Sequence, residues 1–274
     1  MKGDRVLLVT SEDLPDLTPD DRLLLDELLR RGVDARPAVW SDPAVKWEDA
    51  RLAVLRSTWD YHLRAAAFLE WVDGVSERTV LKNPRTLVRW NAHKGYLRDL
   101  EARGIAITPT EWLRAGDRVD GRMRDRGWPD AVVKPAVSAG AFNTKRLRDA
   151  SEPLVADEEA LLQPYLPELG EARETSLVFI AGKLTHAVTR ESALERGLEA
   201  ADLGRLHAAA PDEVAFAERA LAAGTVAGES LYARVDLVRS AAYGLLLLEL
   251  ELIEPNLFLP HSPAAVSALA DAIG

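Results

Sequence analysis

The chain has 274 residues, with 34 Lys and Arg against 44 Asp and Glu, a formal net charge of −10. That balance excludes the broad basic face of a general nucleic-acid binder, while 47% apolar and 28% charged residues are the proportions of a globular protein. There is no cysteine, which excludes disulfides, thiolate metal sites and cysteine nucleophiles.

The chain opens MKGDRVLLVT and turns acidic at SEDLPD, too short an apolar stretch for a signal peptide. No later apolar run approaches the roughly 20 residues that span a bilayer, so the expectation is a cytoplasmic protein with no membrane partner. RVLLVT reads as a strand, and Asp20 to Arg31 carries Leu24, Leu25, Leu28 and Leu29 at helical spacing before Gly32. Val33 to Val39 and Leu52 to Leu55 read as further strands, and Phe68 to Val75 as a short helix. This alternation predicts an open α/β sheet with ligands beyond the strand ends, where the polar and aromatic RSTWDYH lies. Around Val80 to Asn91 an Asn-Pro turn leads into an amphipathic helix that ends at Gly104 and carries Lys94. Then follow ITPTEWL, the strand AVVKPA, the small-residue loop VSAGAFNT, a helix or loop from Glu152 to Glu159, and ALLQPYL. TSLVFIAGKLTHAV predicts two strands about the turn at Ala181 to Lys183. Arg190 to Asp212 lacks periodicity and reads as a long mobile loop, Pro211 to Ala223 as an Ala-rich helix, and Leu231 to Arg239 with Gly244 to Ile253 as a closing hairpin.

That hairpin carries the clearest chemistry. Alternation places Arg234 and Asp236 on one face, and Glu249 and Glu251 on one face with leucines 246, 248, 250 and 252 on the other. A turn near Ala242 sets Asp236 opposite or almost opposite Glu249. Facing carboxylates destabilise a sheet unless a cation compensates, and Mg2+ takes such ligands together with phosphate oxygens and water. An exposed acidic face on an amphipathic hairpin fits the same pattern. Lys134 precedes a loop in which Ser138, Gly140 and Thr144 suit a backbone cradle for phosphate, although such a loop is also an ordinary turn.

Taken in order, RSTWDYH, LKNPRTLVRWNAHKGYL, PTEWL, VVKPAVSAGAFNT, LLQPYLPEL, ETSLVFIAGKLTHAV, YARVDLV and LELELIEPNLFL cover almost the whole length. The set resembles the ATP-grasp ligases, particularly the branch of D-cycloserine synthetase, and more distantly glutathione synthetase and D-alanine:D-alanine ligase. The resemblance implies an α/β (α+β) ATP-grasp fold: an open N-terminal α/β domain over 1–85, a central subdomain with the phosphate loop over 86–165, and a C-terminal subdomain with the metal site over 166–274. It implies Lys94 and Lys134 on the α and β phosphates of ATP, with Ser138, Ala139, Gly140 and Thr144 in the loop over the β and γ phosphates. The backbone of Gln163, Pro164, Tyr165 and Leu166 would read adenine and Glu174 the ribose, though Tyr165 also suits a core and Glu174 a solvated strand. Asp236, Glu249 and Glu251 would ligate Mg2+, and Arg234, with Lys134, would steady the transferring phosphoryl group.

Two departures stand out. The third metal position, often Asn in these ligases, is Glu251 here. The arginine-containing, glycine-rich segment of related enzymes is replaced after His186 by TRESALERGLEAADLGRLHAAAPDE, where Arg190, Arg196 and Arg205 are the candidate substitutes. The implied reaction joins a small amino-acid-like carboxylate, activated as an acylphosphate, to an amine or related nucleophile, forming an amide or cyclic product. No protein nucleophile is required. Arg56, Ser57, Thr58, Trp59, Asp60 and Tyr61 are expected to line the carboxylate pocket, with Arg56 as its clamp, or else to pack a domain interface. His62, His186 and Arg190 join them as substrate contacts or structural residues. The partners expected are a small-molecule carboxylate and amine; a homodimer is left open. The rival reading is a regulatory protein that keeps ATP binding and the fold but has altered catalysis. A Rossmann oxidoreductase is disfavoured because the opening strand-helix unit lacks G-x-G-x-x-G.

Overall fold

The computed structural model describes residues 4–150, 153–171, 174–191, 204–224 and 229–274. The first unit runs β1 (Arg5–Thr10), α1 (Pro19–Arg30), β2 (Ala35–Val39), β3 (Ala50–Ser57), α2 (Ala65–Arg78) and β4 (Val80–Lys82). Its parallel sheet has the order β2-β1-β3-β4. The run RVLLVT is buried beyond Arg5 because both faces are covered, as parallel strands require. Val6 and Leu8 meet Leu24 and Leu28 of α1, while Leu7 and Val9 face Phe68 and Val72 of α2. Thr18 starts α1: its hydroxyl accepts from the Asp21 N–H at 3.1 Å, with Pro19 in the first turn.

The single helix expected before Gly104 is two, α3 (Arg85–Asn91) and α4 (Tyr96–Ala102). The break has a cause in hydrogen bonding. The Lys94 N–H donates to the Ala136 carbonyl at 2.7 Å, and the Gly95 N–H to His93 Nδ1 at 3.0 Å, so neither serves a helical ladder. Lys94 therefore lies between helices, tied to the strand that carries Lys134.

The second sheet is antiparallel, in the order β5-β8-β6-β7: β5 (Glu111–Leu113), β6 (Ala131–Pro135), β7 (Lys145–Leu147) and β8 (Ala160–Pro164). A further helix, α5 (Val119–Arg126), lies between β5 and β6, ended by Gly127 at φ 64°. Its VDGRMRDR buries few apolar side chains, chiefly Val119 and Met123, so periodicity does not disclose it. Residues 153–159 carry no helix.

The third sheet, order β11-β10-β9-β12-β13, is also antiparallel: β9 (Glu174–Ile180), β10 (Lys183–Arg190), β11 (Arg205–His207), β12 (Tyr232–Ser240) and β13 (Gly244–Glu251). Phe216, Ala217 and Leu221 of α6 (Pro211–Gly224) pack on Leu177, Val235 and Leu250. The last helix, α7 (Pro263–Ile273), has no counterpart among the sequence expectations. Its Leu269 and Ile273 share one core with Leu24 and Leu28 of α1 and with Val178 and Val188 of β9 and β10. The chain end thus returns to the first sheet and joins it to the third. No described helix is long and apolar enough to cross a membrane.

Candidate active site

The hairpin β12–β13 sets Asp236 opposite Glu249 and Arg234 opposite Glu251. Immediately after Asp236 the register shifts, Leu237 facing Leu247, so Leu248 is an extra residue on β13. The bulge corrects the expected leucine face. Leu247, Leu250 and Leu252 enter the main core, whereas Leu246 and Leu248 gather with Leu166 and Val238, and Leu248 lines a cavity. Bulges commonly re-aim side chains beside functional sites.

On that face the charges interlock. Arg234 Nε and Nη2 donate to Asp236 at 2.9 and 2.8 Å, Nη2 also pairs with Glu251, and Nη1 donates to the Asn256 carbonyl at 3.1 Å. Arg190 pairs with Glu174, and its Nη2 donates to Asp236 at 3.2 Å. Ser176 Oγ adds a bond to Asp236 at 2.6 Å. Lys94 from the α3–α4 turn and Lys134 from β6 both reach Glu249 Oε1, at 3.1 and 3.2 Å. Oxygens of Asp236, Glu249 and Glu251 lie within 4.8 Å of one another.

The carboxylates titrate differently, even the two on β13. Burial works against the Glu249 carboxylate, but the two lysines outweigh it and hold the group well below the usual range. Burial pushes Glu251 and Glu174 up to about 7, with Arg234 and Arg190 respectively opposing it. It also pushes the Lys134 ammonium down against the pull of Glu249, whereas for Lys94 that pull wins and the shift is upward.

The cavity above this lattice measures about 390 Å3. Val132, Pro164, Leu166 and Leu248 give it apolar walls, and Lys134, Gln163, Glu174, Arg190, Arg234, Glu249 and Glu251 its polar ones. Ala139, Gly140 and Thr144 close one side, and a smaller recess of about 70 Å3 adjoins at Lys94, Ser138 and Tyr61. The loop is two tight turns, Phe142 N–H to Ala139 O and Thr144 N–H to Ala141 O, each 3.0 Å. Gly140, Ala141 and Asn143 all take positive φ, of 56°, 59° and 52°, a conformation that costs energy at the two non-glycine positions.

The family description "D-cycloserine synthetase DcsG, N-terminal domain" matches residues 6–83. The cycloserine biosynthesis protein DcsG of Streptomyces lavendulae is 32% identical over 293 residues, covering 98% of this chain and 95% of that protein. The chain belongs to the ATP-grasp ligases, in the D-cycloserine synthetase branch. The crystal structure of D-cycloserine synthetase DcsG superposes with TM-score 0.87 at 29% identity, 98% of each chain being covered. Two remoter structures share the fold: a RimK-domain ATP-grasp protein of Sphaerobacter thermophilus (TM-score 0.72, 18% identity, 98% and 99% covered) and the D-alanine–D-alanine ligase of Bacillus anthracis complexed with ATP (TM-score 0.68, 16% identity, 99% and 95% covered). The protein is an ATP-dependent ligase of this family.

Not every residue singled out in the ligase's sequence reaches the cavity. Arg56 is 1% exposed; its Nε donates to Asp21 at 2.7 Å and its Nη2 to the Pro255 carbonyl at 2.9 Å, so it grips backbone and cannot clamp a substrate carboxylate. Ser57 bonds Thr10, Thr58 is buried, and Asp60 accepts from Trp40 Nε1 at 2.8 Å, all away from the cavity. Trp59 does line it, while donating its indole N–H to the Glu254 carbonyl at 3.0 Å. His186 is turned to Thr185 and the Leu257 carbonyl, also outside. The Tyr165 ring lies under the Arg146 guanidinium, 3.3 Å from ring centroid to carbon. Arg205 is exposed on β11 and Arg196 lies outside the described residues, whereas Arg190 lines the cavity.

Sequence reasoning missed Glu254, Asn256, Leu248 and Thr108, all of which line the ligase's cavity. Glu254 and Asn256 stood inside the quoted segment LELELIEPNLFL, but they follow β13, where strand alternation no longer tells which side chains point inward.

Proposed function

We propose that this ligase transfers the γ-phosphoryl group of ATP to the carboxylate of a small amino-acid-like substrate and joins the resulting acylphosphate to an amine-type nucleophile. The observation that carries this reading is the convergence of Lys94, Lys134, Arg190 and Arg234 on three clustered carboxylates, beside a cavity with an apolar slot and the recess that adjoins it. In this reading Val132, Pro164, Leu166 and Leu248 sandwich adenine, the backbone of Gln163 to Leu166 reads its edge, and Glu174 takes the ribose. Lys94, Lys134 and the loop from Ser138 to Thr144 hold the phosphates. Asp236, Glu249 and Glu251 form an all-oxygen donor set that suits Mg2+. When bound, Mg2+ supplies charge neutralisation across the phosphates.

Asp236 is saturated by Arg234, Arg190 and Ser176, so one arginine must release it before it ligates. Arg190 is the one we assign to this exchange, taking over the place of the glycine-rich arginine segment that the chain lacks. The reaction needs no protein nucleophile. A substrate carboxylate oxygen bonds to the γ-phosphorus as the bond to ADP breaks; the amine then bonds to the acyl carbon, phosphate leaves, and the amine gives up a proton. Arg234 and Lys134 face the charge that develops on the transferring group.

A coupled ADP-release assay over amino acids and derivatives, including substrates able to cyclise, tests the reading. Mg2+-dependent ADP and phosphate release with at least one carboxylate is expected. Nucleotide binding without turnover anywhere in the panel would sink it in favour of a regulatory role.

A further inference from the structure

Four carboxylates line the cavity: Glu174, Glu249, Glu251 and Glu254. Glu174 pairs with Arg190, Glu249 with Lys94 and Lys134, and Glu251 with Arg234. Among the described residues, Glu254 alone of the four carries neither an ion pair nor a side-chain hydrogen bond. Its backbone, in contrast, is held on both sides: Trp59 Nε1 donates to the Glu254 carbonyl at 3.0 Å and Arg56 Nη2 to the Pro255 carbonyl at 2.9 Å. A pinned backbone that presents an unpaired carboxylate is a preorganised receptor for a cation from outside.

The surroundings say which cation. Glu254 lines the main cavity together with Trp59 and His62, and also the adjoining recess that holds Lys94 and Lys134. His62 joins Trp59 on this wall, its ring 4.8 Å from that of Phe142 between centroids. Accepting the ligase reading above, we propose that Glu254 is the specificity residue of this wall: its carboxylate binds the ammonium group of an amino-acid substrate, whose carboxylate then points back toward the lysines and Arg234. Burial, then the negative charge of Glu251, pushes the empty carboxyl up to about 8 against the pull of Lys94 and Arg234, a cost that a bound ammonium reverses. A hydroxyl in the same place makes one neutral hydrogen bond and leaves the cost standing, so a 2-hydroxy acid binds more weakly than the matching amino acid.

The test reads binding, so that it is separate from turnover. Wild type, Glu254→Gln and Glu254→Asp, each saturated with Mg2+ and a non-hydrolysable ATP analogue, are titrated calorimetrically with amino acids of both hands and their 2-hydroxy-acid counterparts. At least one amino acid is expected to bind wild type tenfold or more tightly than its counterpart. In Glu254→Gln that ratio should fall below threefold with nucleotide affinity kept within threefold, while Glu254→Asp, which retains the charge, keeps a preference above threefold. An amine preference that survives in Glu254→Gln overturns the proposal, as does a wild type that never distinguishes amine from hydroxyl. Lost nucleotide binding in both variants also overturns it, by placing the residue with the phosphates. The ligase reading fails on a different observable, the absence of ADP release.

Discussion

Glu249 Oε1 accepts from two lysines, one carried by a helix-helix turn and the other by β6, which brings two distant segments to one oxygen. Neither lysine has another carboxylate partner among the described residues, so both are free to exchange Glu249 for a nucleotide phosphate. Lys134→Ala or Lys94→Ala should each lower kcat/KM for ATP by about 100-fold, the worth of about 3 kcal/mol of charge-assisted bonding, with circular dichroism unchanged. Asp236→Asn should abolish Mg2+-dependent turnover while leaving the melting profile cooperative; full activity in either lysine variant or in Asp236→Asn contradicts the assignment. At this scale the sequence was legible where the pattern itself encoded proximity, as with Asp236 and Glu249 on one hairpin. It was illegible for Arg56, because an arginine beside aromatic residues reads alike whether its anion is a ligand or Asp21, 35 residues away on α1.

The segment from Leu250 to Asn256 is held element against element. Asn91 bonds Leu250 O and Leu252 N–H; Tyr232 Oη donates to Ile253 O; and Asn83 donates to Tyr232 O at 2.9 Å and Leu252 O at 2.8 Å while accepting from Leu231 N–H at 2.6 Å. The Asn-Pro after β4 reads as a turn in the sequence; in the fold its asparagine is a fully buried tie between the end of β13 and the start of β12. Asn83→Ala strands these backbone groups and should cost about 2–4 kcal/mol in urea unfolding, with a matching loss of activity as Glu249 to Glu254 lose their setting. A cost below about 0.5 kcal/mol would contradict that role. The bulge at Leu248 is equally hidden: in a run of four leucines nothing marks which one is the extra residue, and only pairing with β12 decides it.

Over the whole molecule, the −10 net charge says less than where the carboxyls lie. Asp20, on α1, is pushed up to about 6 by burial and then by Asp21, against Arg56; its Oδ1 accepts from the Leu259 N–H at 2.6 Å and its Oδ2 has no partner. A carboxyl whose folded value is raised keeps a proton that the unfolded chain releases, so its ionisation costs stability as pH rises from about 4 to about 6. Asp20→Asn keeps the acceptor oxygen and removes that cost. It should melt a few degrees above wild type at pH 7 and lose the advantage below about pH 4; a difference independent of pH contradicts this account. The order of strands and helices along the chain was legible because each buries its own periodic face. α7 was not, since its Ala-rich face is explained by distant partners, α1 more than 230 residues earlier and the strands β9 and β10.

The second and third sheets meet at one cavity that the segment after β3 also walls, and we propose that a substrate carboxylate takes the γ-phosphoryl group there. Turnover of a substrate whose carboxylate carries 18O, with mass analysis of the released phosphate, tests it most directly. One 18O atom transferred into each phosphate is the result expected of an acylphosphate; phosphate free of label, released in step with product, would contradict it.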